Sequence, residues 1–265
     1  MKKRILRIAA LCAAVALSVC VLCFANGLVG NPISWALARH TAKEYVKTAY
    51  ADTDYEIESV NYSFKDAGYY AHVVTPASPD GSFTLRISML GKLRGDDYKY
   101  RVENHGNTAI RLYSEYRKLV DGVIDSPSYP YNVSIGYGDL EFDYELGKTP
   151  SPNAVSRSEL VNDKAYNVGA LGATNGRLVL VIDSDTVDYK TAAQVLLLTR
   201  ELMDYAGAGF YVIDLELQYP PYEEGSYSRP EGSVWIEDFL YSDIYEEGLT
   251  DRIAEYDKPA DDTVK

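Results

Sequence analysis

Ser82-Phe83-Thr84-Leu85-Arg86-Ile87-Ser88-Met89-Leu90 is the stretch that decides the fold, because Phe83, Leu85, Ile87 and Met89 alternate with Thr84, Arg86 and Ser88. A period of two puts alternate side chains on opposite faces of a strand, so one face of the sheet is apolar and needs a cover. The cover lies upstream. Asn31-Pro32 has the form of an N-cap followed by proline in the first helical turn. From Pro32 to about Ala51, Ile33, Leu37, Ala38, Ala42, Tyr45, Val46 and Ala49 recur at three- and four-residue spacings, which predicts a helix with that side against the sheet. Tyr55–Phe64 and Tyr69–Thr75 read as two further strands, with turns at Lys65–Gly68 and Pro76–Gly81. Tyr98, Tyr100 and Val102 suggest a short fourth strand.

A second amphipathic helix is predicted from Thr108 to Ile124, with Ala109, Leu112, Tyr113, Tyr116, Leu119, Val120 and Val123 as its stripe. The first domain therefore spans 31–125, and Asp125–Pro130 is read as the junction to a second domain, 131–256. There, Val133–Leu146 reads as one bent strand or hairpin, and Pro150–Asn153 as a loop. Tyr166–Ala173 and Arg177–Asp183 flank Asn175-Gly176, which predicts a hairpin. The continuous apolar run Leu178–Ile182 predicts a central strand. A helix at Tyr189–Tyr205, strands at Phe210–Gln218 and Val234–Tyr241, a last helix at Ile244–Tyr256 and a tail at 257–265 complete the chain. The expected class is α+β, an N-terminal transmembrane helix followed by two small domains with mainly antiparallel sheets.

The transmembrane expectation comes from the first 25 residues. Lys2, Lys3, Arg4 and Arg7 precede an uncharged run from Ile8 to Ala25, and no further cation occurs until Arg39. Those 18 residues make about 27 Å of helix, near the lower limit for a bilayer core of about 30 Å. Charge placement predicts a cytoplasmic basic start (1–4), a signal anchor (5–25) and an exported remainder. Cys23-Phe24-Ala25 also fits a signal-peptide cleavage site, and Cys20 a lipidated cysteine, although Val19 is a poor residue before one. An uncleaved anchor is the favoured reading.

Four of the 26 Lys plus Arg lie in that segment, leaving 22 against 39 Asp plus Glu, a formal charge of −17. Nucleic acid is held through Lys and Arg on phosphates, so it is excluded as a partner. All three cysteines lie within the first 25 residues, so the remainder depends on ordinary cores rather than disulfides.

Candidate chemistry is sparse. Leu178–Ile182 ending in Asp183-Ser184-Asp185 resembles the nucleophile strand of haloacid-dehalogenase phosphatases, in which one carboxylate attacks phosphorus and a second handles protons. Only 82 residues follow Asp183, and no later acidic pair at a strand end completes the set; Asp185, Thr186 and Asp188 read better as caps of the next helix. Asp52-Thr53-Asp54 lacks the loop a Ca²⁺ site needs. His40, His72 and His105 are not at ligand spacing, and there is no Gly-x-Ser-x-Gly elbow. No metal site and no cofactor is expected. Among 24 tyrosines, Tyr219, Tyr222, Tyr227, Tyr241 and Tyr245 gather with Trp235 around one Pro- and Gly-rich loop. Tyr219, Tyr222, Tyr227 and Trp235 are the candidate ligand-binding patch, with aromatic faces for stacking on a glycan or a protein. Glu223, Glu224, Glu231, Glu237 and Asp238 make it acidic.

Gly30-Asn31-Pro32-Ile33-Ser34, Asp52-Thr53-Asp54-Tyr55, Gly68-Tyr69-Tyr70 and Phe239-Leu240-Tyr241-Ser242-Asp243-Ile244-Tyr245-Glu246-Glu247-Gly248-Leu249 resemble the two domains of YfjL-like proteins of Gram-positive bacteria. The resemblance implies a membrane-anchored location and a two-domain α+β architecture, and no reaction. The expected function is a non-catalytic cell-envelope module that binds a protein or glycan, touching the membrane through its N-terminal helix. The alternatives are an envelope hydrolase using acidic residues and a regulatory or stress-related lipoprotein.

Overall fold

A computed structural model describes residues 2–143, 154–223 and 225–257; in the first helix the side chains of Lys2, Lys3, Ile5, Leu6, Ile8, Ala9, Leu22, Cys23 and Asn26 lie outside the description. The expected loop at 150–153 and the end of the Val133–Leu146 segment fall outside it too. The chain forms two compact units, Met1–Asn107 with Val161–Asp163, and Thr108–Leu160 with Lys164–Lys265. Each carries one four-stranded sheet, so the class is α+β.

In the first unit, α1 (Lys2–Val29) and α2 (Pro32–Ala49) precede β1 (Glu56–Ser63), β2 (Gly68–Thr75), β3 (Ser78–Ser88) and β4 (Leu93–Asp96). The sheet runs β1-β2-β3-β4 with every pair antiparallel. The alternation in β3 holds: Phe83, Leu85 and Ile87 are buried with Tyr69, Ala71 and Val73 of β2. The α2 stripe differs from expectation. Ser34, Ala38, Ala42 and Val46 are its buried residues, whereas Ile33 is 76% and Leu37 45% exposed. Small side chains four apart let the helix lie close on the sheet, and that rotation turns its larger aliphatics outward.

Asn31 caps α2 as expected, its Oδ1 accepting from Ser34 N at 2.8 Å. The link from α1 is fixed by hydroxyls. Tyr62 donates to Gly27 O at 2.7 Å, Tyr69 donates to Asn31 O at 3.1 Å, and the Tyr69 and Ser34 hydroxyls lie 2.7 Å apart. Gly30 has φ +71°, and a Cβ there would meet the Tyr69 hydroxyl at 2.8 Å, so both conformation and space require glycine.

Two loop expectations change. Thr75 pairs with Ser78, so Pro76-Ala77 alone makes the turn and β3 starts three residues before the predicted turn ends. Asp80, buried in this strand, explains why: its backbone N donates to Asp163 Oδ1 at 3.0 Å while its Oδ2 accepts from Asp163 N at 2.8 Å. This reciprocal pair ties Val161–Asp163 into the first unit. The fourth strand is Leu93–Asp96, not Tyr98–Val102; Lys99–Glu103 is a helical turn. The Asp97 carboxylate accepts from Thr84 N at 2.6 Å and bends the chain there. The bend places Tyr98 against Tyr50, Tyr55 and Phe83, with ring centroids 4.9 to 6.2 Å apart.

The second unit holds most of α3 (Gly106–Ile124), then β5 (Asn132–Leu140), α4 (Val168–Asn175), β6 (Gly176–Asp183), α5 (Tyr189–Ala206), β7 (Val212–Gln218), β8 (Ser233–Leu240) and α6 (Leu249–Tyr256). Its sheet runs β5-β6-β7-β8 and is mixed, since β6 and β7 are parallel and joined through α5. Leu178, Leu180 and Ile182 of β6 and Ile213, Leu215 and Leu217 of β7 form one apolar face. The predicted stripe on α3 exists, but Leu112, Tyr116 and Val120 pack into this core rather than that of the first unit. The predicted hairpin at Asn175-Gly176 is absent. Val168–Asn175 is helical, capped by Asn167, and a Cβ at Gly169 or Gly172 would lie 1.8 Å from Gly207 O or 2.1 Å from Gly209 O. That close approach decides the local structure over the turn preference of Asn-Gly.

Among the described residues no helix is long and apolar enough to cross a membrane. The run read as a span includes Ile5, Leu6, Ile8, Ala9, Leu22 and Cys23, whose side chains lie outside that set.

Candidate functional site

The aromatic loop between β7 and β8 is held at its base. Arg229 Nη1 donates to Tyr219 O at 3.3 Å and pairs with Asp183 at 3.2 Å. Across the loop, Tyr222 N donates to Ser228 O and Ser226 N to Glu223 O. From this frame Tyr222 and Tyr227 project, 68% and 96% exposed. Tyr219 is half-buried, and Trp235 lies on β8 opposite Glu216, its backbone N donating to Asp257 Oδ1 at 2.9 Å. No ring contact joins any two of Tyr219, Tyr222, Tyr227 and Trp235 among the described residues. The other two aromatics are engaged within the unit: Arg200 lies 4.3 Å over Tyr241, whose hydroxyl donates to Asp204, and Arg252 lies 3.6 Å over Tyr245. Burial, then the bond to Asp204, pushes the Tyr241 phenol pKa up. The loop thus offers two free rings, not a six-ring surface.

Asp183 stands at the C-terminal end of β6, beside the end of parallel β7, the place where open α/β sheets gather ligands. Its carboxylate is occupied there, accepting from Gln218 Nε2 at 3.0 Å and pairing with Arg229. Asp188 caps α5 through Thr191 N at 2.7 Å. Other carboxylates converge on Arg177, whose Nη1 reaches both Asp214 oxygens at 2.7 and 2.8 Å, while Nη2 reaches Asp238 at 2.7 Å and Nε reaches Glu141 at 3.2 Å. Burial works against the Arg177 charge, but the bonds to Asp238 and Asp214 outweigh it and raise its pKa. These acids are committed to salt bridges that hold strands and loops together. Of the histidines, His72 lies 3.7 Å from Glu58 and His105 Nδ1 is 2.7 Å from Asn162 Oδ1. Among the described residues no group of three or more His, Cys, Asp or Glu is placed to hold a metal.

A further site lies on the polar face of the first unit's sheet. Asp66, Tyr70, Arg86 and Arg94 line a depression of about 180 Å³. Cross-strand register builds it: Arg86 of β3 is opposite Tyr70 of β2 and Gly95 of β4. Asp66 accepts from Ser63 Oγ at 2.7 Å and Tyr70 OH at 2.8 Å, and these bonds lower its pKa, aided by the Arg94 charge. Arg94 donates to Asp66 O at 3.1 Å, whereas Arg86 has no hydrogen bond or ion pair among the described residues. Two guanidiniums offer donors for one oxygen-bearing group. Sequence reading missed this site because its only signal was Arg86 in the polar half of the β3 alternation.

No curated protein and no solved structure shows significant similarity to the chain. Family models do: residues 2–97 match the YfjL-like N-terminal domain, and residues 115–254 match the YfjL-like C-terminal domain. The second match leaves the start of α3 outside and includes every strand of the second sheet, in accord with the packing of that helix. Two matches in order, covering most of the chain, mean that it belongs to the YfjL-like family.

Proposed function

We propose that the chain is a single-pass, membrane-anchored binding module of a Gram-positive cell envelope, with a cytoplasmic N-terminus, two exported units and no catalytic activity. One observation carries this reading. The helix α1 is uncharged from Ile8 to Ala25 and its described apolar side chains are exposed all round, with Leu11 at 66%, Leu17 at 68% and Phe24 at 70%. An all-apolar helix left uncovered by its own protein calls for a nonpolar solvent. Tyr222 and Tyr227 are the proposed contacts for an envelope protein or glycan, since free aromatic rings on a braced loop lose little side-chain freedom on binding.

Alkaline carbonate extraction of cell membranes, with mass spectrometry of the pelleted protein, tests the anchor: the full-length chain stays in the membrane pellet, and release of a shorter chain, or a pelleted chain that begins at a lipidated Cys20, contradicts it. Assays of the purified full chain on wall, ester and phosphate substrates test the second half. Turnover that depends on an Asp or Glu overturns the non-catalytic reading.

A further inference from the structure

The apolar stripe that α2 turns away from its sheet does not stand alone. Ile33 and Leu37, together with Met89 and Leu90 of the β3–β4 turn and with Asn31 and Pro32, line one apolar depression. Leu90 at the tip of that turn is 88% exposed. The tip is held firmly in place. Thr41 Oγ1 donates to Gly91 O at 2.6 Å, and Gly91, at φ +75°, lies so close to α2 that a Cβ would meet Leu37 Cβ at 3.0 Å. Lys92 follows directly and is exposed. An aliphatic tip with a cation beside it matches a segment that inserts at a headgroup boundary, where lysine reaches the headgroups and the aliphatic residue reaches the acyl chains.

Position identifies what covers the patch. Its first residue, Asn31, comes two residues after α1 ends at Val29, and Leu28 and Val29 are themselves 50% and 75% exposed. The joint is not a flexible linker, because Asn31 is hydrogen-bonded to Tyr69, Gly30 lies too close to the Tyr69 hydroxyl to carry a side chain, and Gly27 O accepts from Tyr62. If α1 spans the bilayer from Ile8, about 22 residues at 1.5 Å each reach Val29 after roughly 33 Å, which places Asn31 at the outer edge of the hydrocarbon. We infer that Ile33, Leu37, Met89 and Leu90 form a membrane-docking surface that seats the first unit in the headgroup and upper acyl region of the outer leaflet. This rests on the anchor reading above and adds a second, interfacial contact to it.

The test uses the full-length chain reconstituted into phosphatidylcholine–phosphatidylglycerol vesicles, with Leu90→Trp as a reporter that keeps the position apolar. The added emission, taken as the difference from the unsubstituted chain, is measured with lipids brominated near the headgroup end of the acyl chain and with lipids brominated near its terminus. Docking predicts co-flotation with vesicles and strong quenching of the added emission by the shallow bromines, weaker by the deep ones. Co-flotation without quenching leaves the anchor intact and overturns the docking surface. The same holds if the emission is instead shielded from iodide in step with protein concentration, which marks a second copy as the occupant. Failure to co-float overturns the anchor reading, and the docking surface with it.

Discussion

The polar faces of the two sheets treat arginine in opposite ways. In the second unit Arg177 is surrounded by Asp214, Asp238 and Glu141, and Arg229 is bound to Asp183. In the first unit Arg86 and Arg94 line an open depression, and Arg86 has no ionic partner among the described residues, in a chain of formal charge −13. With acids in excess, an arginine without a carboxylate reflects where the fold places it. The difference teaches that the second sheet uses its charges to fasten strand ends and loops, whereas the first leaves Arg86 available. The cores differ similarly: the second is built on Leu, Ile and Val of a mixed sheet, the first on a Tyr50–Tyr55–Phe83–Tyr98 cluster and the Tyr69 hydroxyl network.

The largest expected effect breaks the second unit alone. Gly169→Val drives a branched side chain into the Gly207 carbonyl and should cost about 3 kcal/mol or more. Gly122→Ala in α3, where a Cβ meets nothing within 4 Å, should be neutral or gain about 0.4–1 kcal/mol. Denaturant midpoints of the two variants check both. Next comes the arginine contrast itself. Arg177→Ala leaves the half-buried Asp214 and Glu141 without their cation and should cost about 2 kcal/mol, while Arg86→Ala should stay within about 0.5 kcal/mol. Equal losses would erase the distinction between fastening and available cations.

Much of the first unit was legible because one face of each strand is wet. Phe83, Leu85 and Ile87 announce their face by alternation, and Asn31-Pro32 announces the helix start. The errors have physical causes. The α3 stripe is correct, but a stripe does not say which sheet covers it, so periodicity alone assigns the helix to the first half rather than to Leu178 and Leu180. Asn175-Gly176 carries turn chemistry, yet Gly169 and Gly172 pack on the carbonyls of Gly207 and Gly209, a contact no local pattern reveals. Ile33 and Leu37 fit an amphipathic period whose true centre is Ser34, Ala38 and Ala42. Of the aromatic patch, the sequence located the loop but could not tell free Tyr222 and Tyr227 from Tyr241 and Tyr245 beneath arginines.

Alkaline titration compares the cores on a finer scale. Burial pushes Tyr129, in the second unit, and Tyr55, in the first, up to about 12 from the ordinary value of 10.0. Because the folded value is raised, the stability held by each neutral phenol is complete below pH 10 and is lost as pH rises through 12. Tyrosinate absorbance at the buried Tyr129 and the half-buried Tyr55 should therefore appear together with loss of circular dichroism. Titration without unfolding would mean that the rings reach water in the folded state. The helix caps should respond equally in the two units: Asn31→Ala and Asp188→Ala each remove one N-cap and should each cost about 1 kcal/mol.

The binding account is tested most directly by site-specific photo-crosslinking of the full-length protein on intact cells, with a benzophenone side chain placed at Tyr227. The account predicts one discrete adduct with an envelope component, reduced when Tyr222 is changed to Ser in the same chain. Adducts only with abundant surface proteins, unchanged by Tyr222→Ser, would contradict it.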